Sequence, residues 1–268
     1  MSDLLQGLLD DLRAEADQLA ATVERLGPDG WENQTPAPGW TVATQAVHLM
    51  WTDEVAVLAA RSHESPEAKE AWDEVVLAAI GDPTGYVDAA AFELARLPRD
   101  AALVRWSKAR SALRTALTDL PAGQRMPWFG PPMSAASMAT ARFMETFAHG
   151  LDVYDAAGER PDPTDRIKHV AHLGVRTRDY AYSVHGQKPP AEEFFVELVA
   201  PSGALWSWGP EGAAQSVRGP AYDFCLLVTQ RVNRDDTNLV AIGADADHWL
   251  DIAQAFAGPA GPGREADR

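Results

Sequence analysis

The chain has 268 residues, with 39 acidic residues against 23 Lys and Arg, which gives a formal charge of −16. A field of that sign repels phosphate backbones and anionic lipid surfaces, so we expect neither nucleic acid nor a membrane as a partner. The single Cys excludes internal disulfides and cysteine-based zinc sites. The acidic, amphipathic N-terminus does not resemble a signal peptide, and no apolar run approaches the roughly 20 residues that span a bilayer. These features predict a cytoplasmic protein.

Four long stretches in the first part of the chain carry apolar residues at helical spacing. They cover residues 4–26, 41–60, 103–120 and 134–157. Thr41 is a favourable N-cap for the second stretch, and Gly158 ends the fourth. The region of residues 61–96 is less regular, with a short helix expected over residues 67–78. Four long helices are typical of a helical bundle, which we assign to residues 1–160.

Runs of strand character follow residues 161–163, where the composition changes. Strands are expected at 194–199, 205–208, 214–217 and 239–242, and helices at 165–185, 222–232 and 246–256. This pattern predicts a smaller α+β domain over residues 161–258 and a flexible tail over residues 259–268. The predicted fold class is therefore mainly α, with a four-helix bundle followed by a smaller α+β domain. Cys225 falls in an apolar stretch and is interpreted as a small core residue rather than a nucleophile.

Three residues on two predicted helices are candidate metal ligands. Glu145 and His149 are four residues apart and therefore stand on one side of the fourth helix. Their alternative role is a surface ion pair. His48 lies in the middle of the second helix among apolar neighbours, where its alternative role is that of a hydrogen-bonded core histidine. Two histidines and one carboxylate form the usual ligand set of a catalytic zinc site, which leaves a fourth position open.

Further residues are candidates for the surroundings of such a site. Asp152 follows His149 by three residues and is expected to orient that imidazole through a hydrogen bond. Arg142 has two interpretations, which are binding of a substrate or cosubstrate carboxylate and an ion pair with Glu145 in the same helix. Three aromatic residues lie on loops at helix ends, where bundle sites commonly open: Trp40, Trp128 and Phe129. They are expected either to line a substrate pocket or to cap the bundle.

Two segments resemble the mycothiol-dependent maleylpyruvate isomerase family. Residues 35–42 (TPAPGWTV), followed by His48, are similar to the entry to that family's second helix. Residues 145–153 (ETFAHGLDV) are similar to its E-x-x-x-H-G-x-D segment on the fourth helix. With the downstream α+β pattern, the resemblance covers nearly the whole chain. It implies a DinB-like four-helix metal-binding domain followed by a smaller α+β domain, with a divalent metal, usually zinc, on His48, Glu145 and His149.

The resemblance also implies a chemistry. A metal on this set would activate a low-molecular-weight thiol such as mycothiol for attack on a small electrophilic substrate, in an isomerase or a thiol S-transferase. Arg218 of the second domain would then bind substrate, as arginines of the family do. The family contains several activities, and residues 127–134 are typical of another branch. Two alternatives therefore stay open: a hydrolase that activates water, and a non-catalytic metal-containing protein that binds small molecules.

Overall fold

Residues 2–261 and 263–266 are described by a computed structural model of the chain, which divides into two compact units, Met1–Arg160 and Pro161–Arg268. The helices described in the first unit are α1 (Asp3–Gly30), α2 (Val42–Arg61), α3 (Pro66–Gly81), α4 (Tyr86–Leu94), α5 (Arg99–Asp119) and α6 (Ala135–Ala157). Helices α1, α2, α5 and α6 pack around one another as a four-helix bundle. No helix in the described ranges is long and apolar enough to cross a bilayer.

Local sequence fixes the ends of α2 and α6, the helices that carry the candidate ligands. The Thr41 hydroxyl accepts a hydrogen bond from the backbone nitrogen of Thr44 at 3.3 Å, and the Thr44 hydroxyl accepts one from the backbone nitrogen of Thr41 at 2.6 Å. This reciprocal arrangement satisfies two backbone donors at the start of α2. The Ser134 side chain caps the start of α6 by accepting a backbone hydrogen bond. Gly158 ends this helix in the left-handed conformation, with φ +67°. Both helices begin and end within one residue of their predicted limits.

Helix α2 is the most enclosed element of the bundle. It packs against α5 and α6 within the bundle and against α3 and α4 outside it, and every residue from 42 to 50 is buried. A helix without a solvent-facing side must find partners for its polar residues inside the protein. Gln45, His48 and Asp53 are such residues, and each contacts a polar side chain of α6.

Two regions of the chain differ most from the sequence-based prediction, and the helices predicted over residues 222–232 and 246–256 each end four residues early, at Val228 and Ile252. Helix α4 lies in the region that the sequence marks as irregular, and it begins at Gly85 without a side-chain cap. Because a nine-residue helix is marginal alone, its packing against α2 explains why it forms. The helix predicted over residues 165–185 is interrupted at Thr177, whose hydroxyl donates to the Gln254 carbonyl at 2.7 Å and also lies 3.0 Å from the Leu173 carbonyl. The segment instead forms a 3₁₀ turn and two short helices.

The second unit contains a small mixed sheet with helices. Its helices are α7 (Lys168–Arg176), α8 (Arg178–Val184), α9 (Ala221–Val228) and α10 (Ala244–Ile252), with 3₁₀ turns at Asp165–Ile167 and Arg234–Asp236. Its strands are β1 (Phe195–Val199), β2 (Leu205–Trp208), β3 (Ser216–Pro220) and β4 (Val240–Ile242), in the spatial order β2-β1-β3-β4. β1 and β3 are parallel, and the two outer pairs are antiparallel.

The remaining predictions for this unit concern one side chain and the tail. Cys225 is fully buried in α9, and burial raises the pKa of its thiol above the ordinary range, so it is a core residue as predicted. Residues 262, 267 and 268 of the predicted tail lie outside the described residues. The described part of the tail has no helix or strand, and the Arg264 carbonyl accepts a hydrogen bond from Asn233 at 2.8 Å. The flexibility of the tail stays a prediction.

Candidate metal centre

The structure brings His48 of α2 together with Glu145 and His149 of α6. The Oε2 atom of Glu145 lies 3.5 Å from the Nε2 atom of His48 and 3.2 Å from the Nε2 atom of His149. One ligand atom from each of the three residues lies within 4.8 Å of the others. The His48 side chain is buried, whereas those of Glu145 and His149 are 26% and 16% exposed. The cluster, which we call the triad, is therefore partly accessible to solvent.

The protonation of the triad follows from its burial and its hydrogen bonds. Burial, together with the neighbouring His149, lowers the pKa of His48 to about 4, so this imidazole is neutral at pH 7. Burial alone raises the pKa of Glu145, but hydrogen bonds with His149 and His48 outweigh that effect and hold this pKa well below its usual range. The triad thus combines an ionised carboxylate with a neutral His48.

The triad fits a divalent cation in both geometry and chemistry. Zinc–ligand bonds of about 2.0–2.1 Å in a tetrahedral shell place neighbouring ligand atoms roughly 3.3–3.4 Å apart. Two of the three separations, 3.2 and 3.5 Å, are close to that value, and the third, between the two histidines, is within 4.8 Å. The Nδ1 atom of His48 is buried and has no hydrogen-bond partner among the described residues, so the polar contact of this ring is the one that its Nε2 atom makes with Glu145 inside the triad. Two imidazole nitrogens and one carboxylate oxygen form a donor set that suits zinc and related ions.

Gln45, rather than Asp152, contacts the other ring nitrogen of His149. The Nδ1 atom of His149 is hydrogen-bonded to the Oε1 atom of Gln45. The Oδ2 atom of Asp152 lies 3.4 Å from the Nε2 atom of Gln45. Asp152 thus contacts the amide of Gln45, which in turn contacts His149, and its predicted role in orienting His149 stays a prediction.

Arg142 is buried in an ion pair and is only 3% exposed. Its Nε donates to the Oδ1 atom of Asp53 at 2.8 Å, and its Nη2 donates to the Leu49 carbonyl at 3.4 Å. Neither sequence-based interpretation of Arg142 agrees with this geometry. The guanidinium pairs with a carboxylate of α2 instead of Glu145, and it is not presented to a substrate.

Trp40 forms an aromatic wall beside the triad. Its ring stacks on His149 with the centroids 5.7 Å apart and meets His48 edge-on at 5.4 Å. The loop before α2 holds it there, because the Trp40 carbonyl accepts hydrogen bonds from the backbone nitrogen of Thr35 at 2.9 Å and from its hydroxyl at 2.8 Å. Trp51 adds a second ring, 6.3 Å from His48. Trp40 thus lies beside the triad, and its role in a substrate pocket stays a prediction.

Trp128 and Phe129 belong to a different aromatic cluster. Their rings lie 6.0 and 5.5 Å from that of Trp72 on α3, and 5.1 Å from each other. Trp72 and Trp128 pack on the part of the bundle core that includes Leu9, Ala56 and Met138. This arrangement favours the alternative role, hydrophobic capping, for these two residues.

Arg218 lies on β3 in the second unit. Its Nε atom is 3.2 Å from the Oε1 atom of Glu197 on the neighbouring strand, and its guanidinium lies 5.6 Å from the centre of the Phe195 ring. The side chain is about half exposed. These contacts explain how the side chain is held on the sheet, and its role in substrate binding stays a prediction.

Sequence reasoning missed Gln45 and Trp51 as residues of the site. They precede and follow His48 by three residues, and residues at this spacing share one face of a helix. That spacing is the signal that could have identified them. It is weak by itself, because α2 is buried on every side and all of its faces carry apolar residues.

Comparisons with known proteins agree with this architecture. Residues 12–154 match the family described as "Mycothiol maleylpyruvate isomerase N-terminal domain", and residues 190–241 match the one described as "Wyosine base formation". Two curated relatives from Mycobacterium tuberculosis, strains CDC 1551 / Oshkosh and ATCC 25618 / H37Rv, are each 54% identical to this chain over 254 residues. The alignments cover 95% of this chain and 96% of each relative, and both relatives are described as uncharacterized proteins.

Solved structures show the same fold. The crystal structures of the mycothiol-dependent maleylpyruvate isomerase and of a histidine-to-alanine mutant of it both match with a TM-score of 0.58, at 14% and 15% identity. They cover 90% and 89% of this chain and 95% of the matched chains. The predicted fold, a DinB-like helical bundle followed by a smaller α+β part, is confirmed. Because the family match spans more than half of the 268 residues, this chain belongs to the mycothiol maleylpyruvate isomerase family.

Proposed function

We propose that the chain is a divalent-metal-dependent enzyme, with zinc as the metal, that promotes attack of a low-molecular-weight thiol on a small electrophilic substrate. The observation that carries the proposal is the triad, in which two imidazoles and one ionised carboxylate converge within 4.8 Å. Structural zinc sites usually have four protein ligands, whereas catalytic sites have three and keep one position for the reactant. The three converging ligands of the triad therefore favour a catalytic role.

The thiol must come from outside the chain. Its only cysteine, Cys225, is buried and has a raised pKa, so it supplies no reactive thiolate. Membership of a family named for mycothiol supports a thiol of that kind as cosubstrate. A divalent metal bound to the triad would lower the pKa of a thiol brought to its open position.

The residues of the chain would then bind the metal, orient the reactants and shield the site from water. His48, Glu145 and His149 hold the metal, and Trp40 covers one side of the two imidazoles and limits the access of water. Addition of a thiolate to a conjugated double bond forms a carbon–sulfur bond, permits rotation about the former double bond, and is reversed by expulsion of the same thiolate. That sequence is a cis–trans isomerisation with no net change in the thiol. Attack on an epoxide carbon would instead break a carbon–oxygen bond and leave a stable S-conjugate.

The first experiment is elemental analysis of the tag-free protein by mass spectrometry. We expect about one zinc or other divalent ion per chain. The loaded protein is then mixed with a cis unsaturated keto acid or an aryl epoxide, with and without mycothiol. Turnover that needs both metal and thiol supports the proposal, and loss of turnover in His149→Ala but not in His63→Ala ties it to the triad. His63 is a matched control because it is exposed and contacts the Ala60 carbonyl.

Two results would overturn this proposal. Turnover that is independent of added thiol would indicate activation of water, and hence a hydrolase. A protein that takes up no divalent metal after incubation with zinc would be better explained as a small-molecule binding protein. Arg218 as a substrate-binding residue, a cytoplasmic location and the lack of a nucleic-acid partner stay predictions. The match at residues 190–241 carries no proposal of RNA binding, because the charge of −16 opposes contact with phosphates.

A further inference from the structure

The structure assigns Gln45 a role that goes beyond the three ligands. We propose that Gln45 is the positioning residue of His149, which it holds with the Nε2 atom directed at Glu145. Thr35 and Asp152 determine which end of the Gln45 amide faces the imidazole. The inference rests on the proposed function for the identity of the bound metal, but the hydrogen-bond arrangement itself belongs to the metal-free protein.

The arrangement begins at the Trp40 carbonyl, which can only accept hydrogen bonds. The Thr35 hydroxyl lies 2.8 Å from this oxygen and must donate its single hydrogen to it. The Thr35 hydroxyl can then only accept a hydrogen bond from Gln45, whose Nε2 atom lies 3.1 Å away. Thr35 therefore presents an acceptor to the Gln45 side chain.

Asp152 presents a second acceptor to the same nitrogen. Its Oδ2 atom lies 3.4 Å from the Nε2 atom of Gln45. Reversal of the amide would place the Oε1 atom of Gln45 against this carboxylate, where two acceptors would face each other. Because Gln45 is fully buried, water cannot relieve such a clash at low cost. Both neighbours therefore select the orientation in which Oε1 faces His149.

The last contact sets the state of the imidazole. The Oε1 atom of Gln45 accepts from the Nδ1 atom of His149, so this nitrogen carries the hydrogen. In a neutral imidazole the Nε2 atom then has a free lone pair, and this atom lies 3.2 Å from Glu145. A lone pair and a carboxylate oxygen repel each other at this distance, so the contact between Nε2 and Glu145 needs either a second proton on the ring, which gives the hydrogen bond described above, or a cation bound in its place. Hydrogen bonds from the other ring nitrogen fix the ring orientation of metal-binding histidines and raise their basicity.

The two histidines of the triad differ in this respect. The Nδ1 atom of His48 has no hydrogen-bond partner among the described residues, whereas that of His149 ends a chain of three matched hydrogen bonds. The same chain ends at the carbonyl of Trp40, whose ring stacks on His149. Gln45 and Thr35 thus connect the orientation of one ligand to the loop that carries the aromatic wall.

The first test measures the imidazole in the metal-free protein. Long-range ¹H–¹⁵N spectra report which ring nitrogen carries the hydrogen, and in the unmodified protein we expect Nδ1 for His149. Gln45→Met keeps the length of the side chain but removes the acceptor, and we expect this preference to be lost. If His149 carries its hydrogen on Nε2 in the unmodified protein, or keeps the Nδ1 form in Gln45→Met, the proposal is overturned even though the metal site stands.

The second test measures zinc affinity by competition with a chromophoric chelator. We expect the Kd of Gln45→Met to rise about 10- to 100-fold, as is typical when a partner of a metal-binding histidine is removed. Thr35→Val should raise it less, and Thr35→Ser, which keeps the hydroxyl, should restore it. Thr22→Val is the matched control, because Thr22 is a buried threonine that bonds to Glu159 instead of Gln45.

The outcomes of the affinity test separate two failures. If the unmodified protein binds zinc and Gln45→Met binds it equally well, Gln45 is not a positioning residue. If Thr35→Val and Thr35→Ser have the same affinity, Thr35 has no part in the arrangement, and this comparison remains informative should Gln45→Met not fold. If the unmodified protein binds no divalent ion at all, the proposed function fails, and the spectra alone decide on Gln45.

Discussion

Helices α2 and α6 hold two polar clusters between them. One contains the guanidinium of Arg142, and the other, the triad, consists of a carboxylate and two imidazoles. In the first, Arg142 and Asp53 pair at 2.8 Å, and each is at most 6% exposed. In the second, an ionised Glu145 faces His48 and His149, and among the described residues it pairs with no Lys or Arg. The clusters lie about one helical turn apart on the same two helices.

The comparison shows how a buried polar cluster in this bundle can be interpreted. A carboxylate that is paired with a guanidinium is balanced in charge and in hydrogen bonds, so it requires no further ion. A carboxylate that faces only imidazoles has no permanent positive charge beside it, and in a partly buried place this favours the binding of a cation. The comparison thus favours a structural role for the Arg142–Asp53 pair, and it supports the proposal that the triad binds a cation.

The largest effect is expected from removing a ligand of the triad. His48→Ala and His149→Ala should each abolish stoichiometric binding of zinc, because two remaining donors cannot complete the site. Elemental analysis with far-ultraviolet circular dichroism measures metal content and fold together. A full equivalent of metal in both folded variants would show that the ion is bound elsewhere.

The next effect concerns the charge-balanced pair. Asp53→Ala leaves Arg142 buried without its carboxylate, and we expect the free energy of unfolding to fall by about 3–5 kcal/mol. The neighbouring variant Glu54→Ala is the control, because Glu54 binds Arg105 at a partly exposed position. We expect this variant to lower the free energy of unfolding by less than about 1 kcal/mol. Urea denaturation measures both. Equal losses would contradict a special role for the buried pair.

Zinc itself should stabilise the fold through the triad alone. At a free concentration about 1,000 times the Kd, it should raise the free energy of unfolding by about 4 kcal/mol, and removal by a chelator should reverse the gain. The gain should vanish in His149→Ala and persist in the double variant Asp53→Leu, Arg142→Met, which replaces the pair by apolar side chains. Denaturation with and without zinc provides the measurement, and a gain that survives in His149→Ala would count against the triad.

The smallest expected effect is a pH dependence of the metal-free protein. His48 has a pKa of about 4 when folded and an ordinary value of 6.5, so between these values the unfolded chain binds a proton that the folded chain does not. The free energy of unfolding should therefore fall as the pH is lowered from 6.5 to 4, by up to about 3 kcal/mol. His48→Gln should flatten this slope. An unchanged slope in that variant would assign the pH dependence to other groups.

The sequence by itself determined the helices of the bundle and the identity of the three candidate ligands. Helical periodicity, the cap at Thr41 and the end at Gly158 are local signals, and local rules are enough to interpret them. The four-residue spacing of Glu145 and His149 puts both on one side of α6 for the same reason. His48, which lies almost 100 residues earlier in the chain, was a candidate because of its place among apolar residues of the second helix, and the resemblance to a known family supported it.

Only the tertiary structure decided the partners of those residues. Gln45 meets His149 while Asp53 meets Arg142, so later positions of α2 face earlier positions of α6 and the two helices are antiparallel. This register depends on how two distant helices pack, and no local pattern contains it. It places Gln45 against His149, gives Arg142 a carboxylate of its own, and leaves Glu145 between two imidazoles.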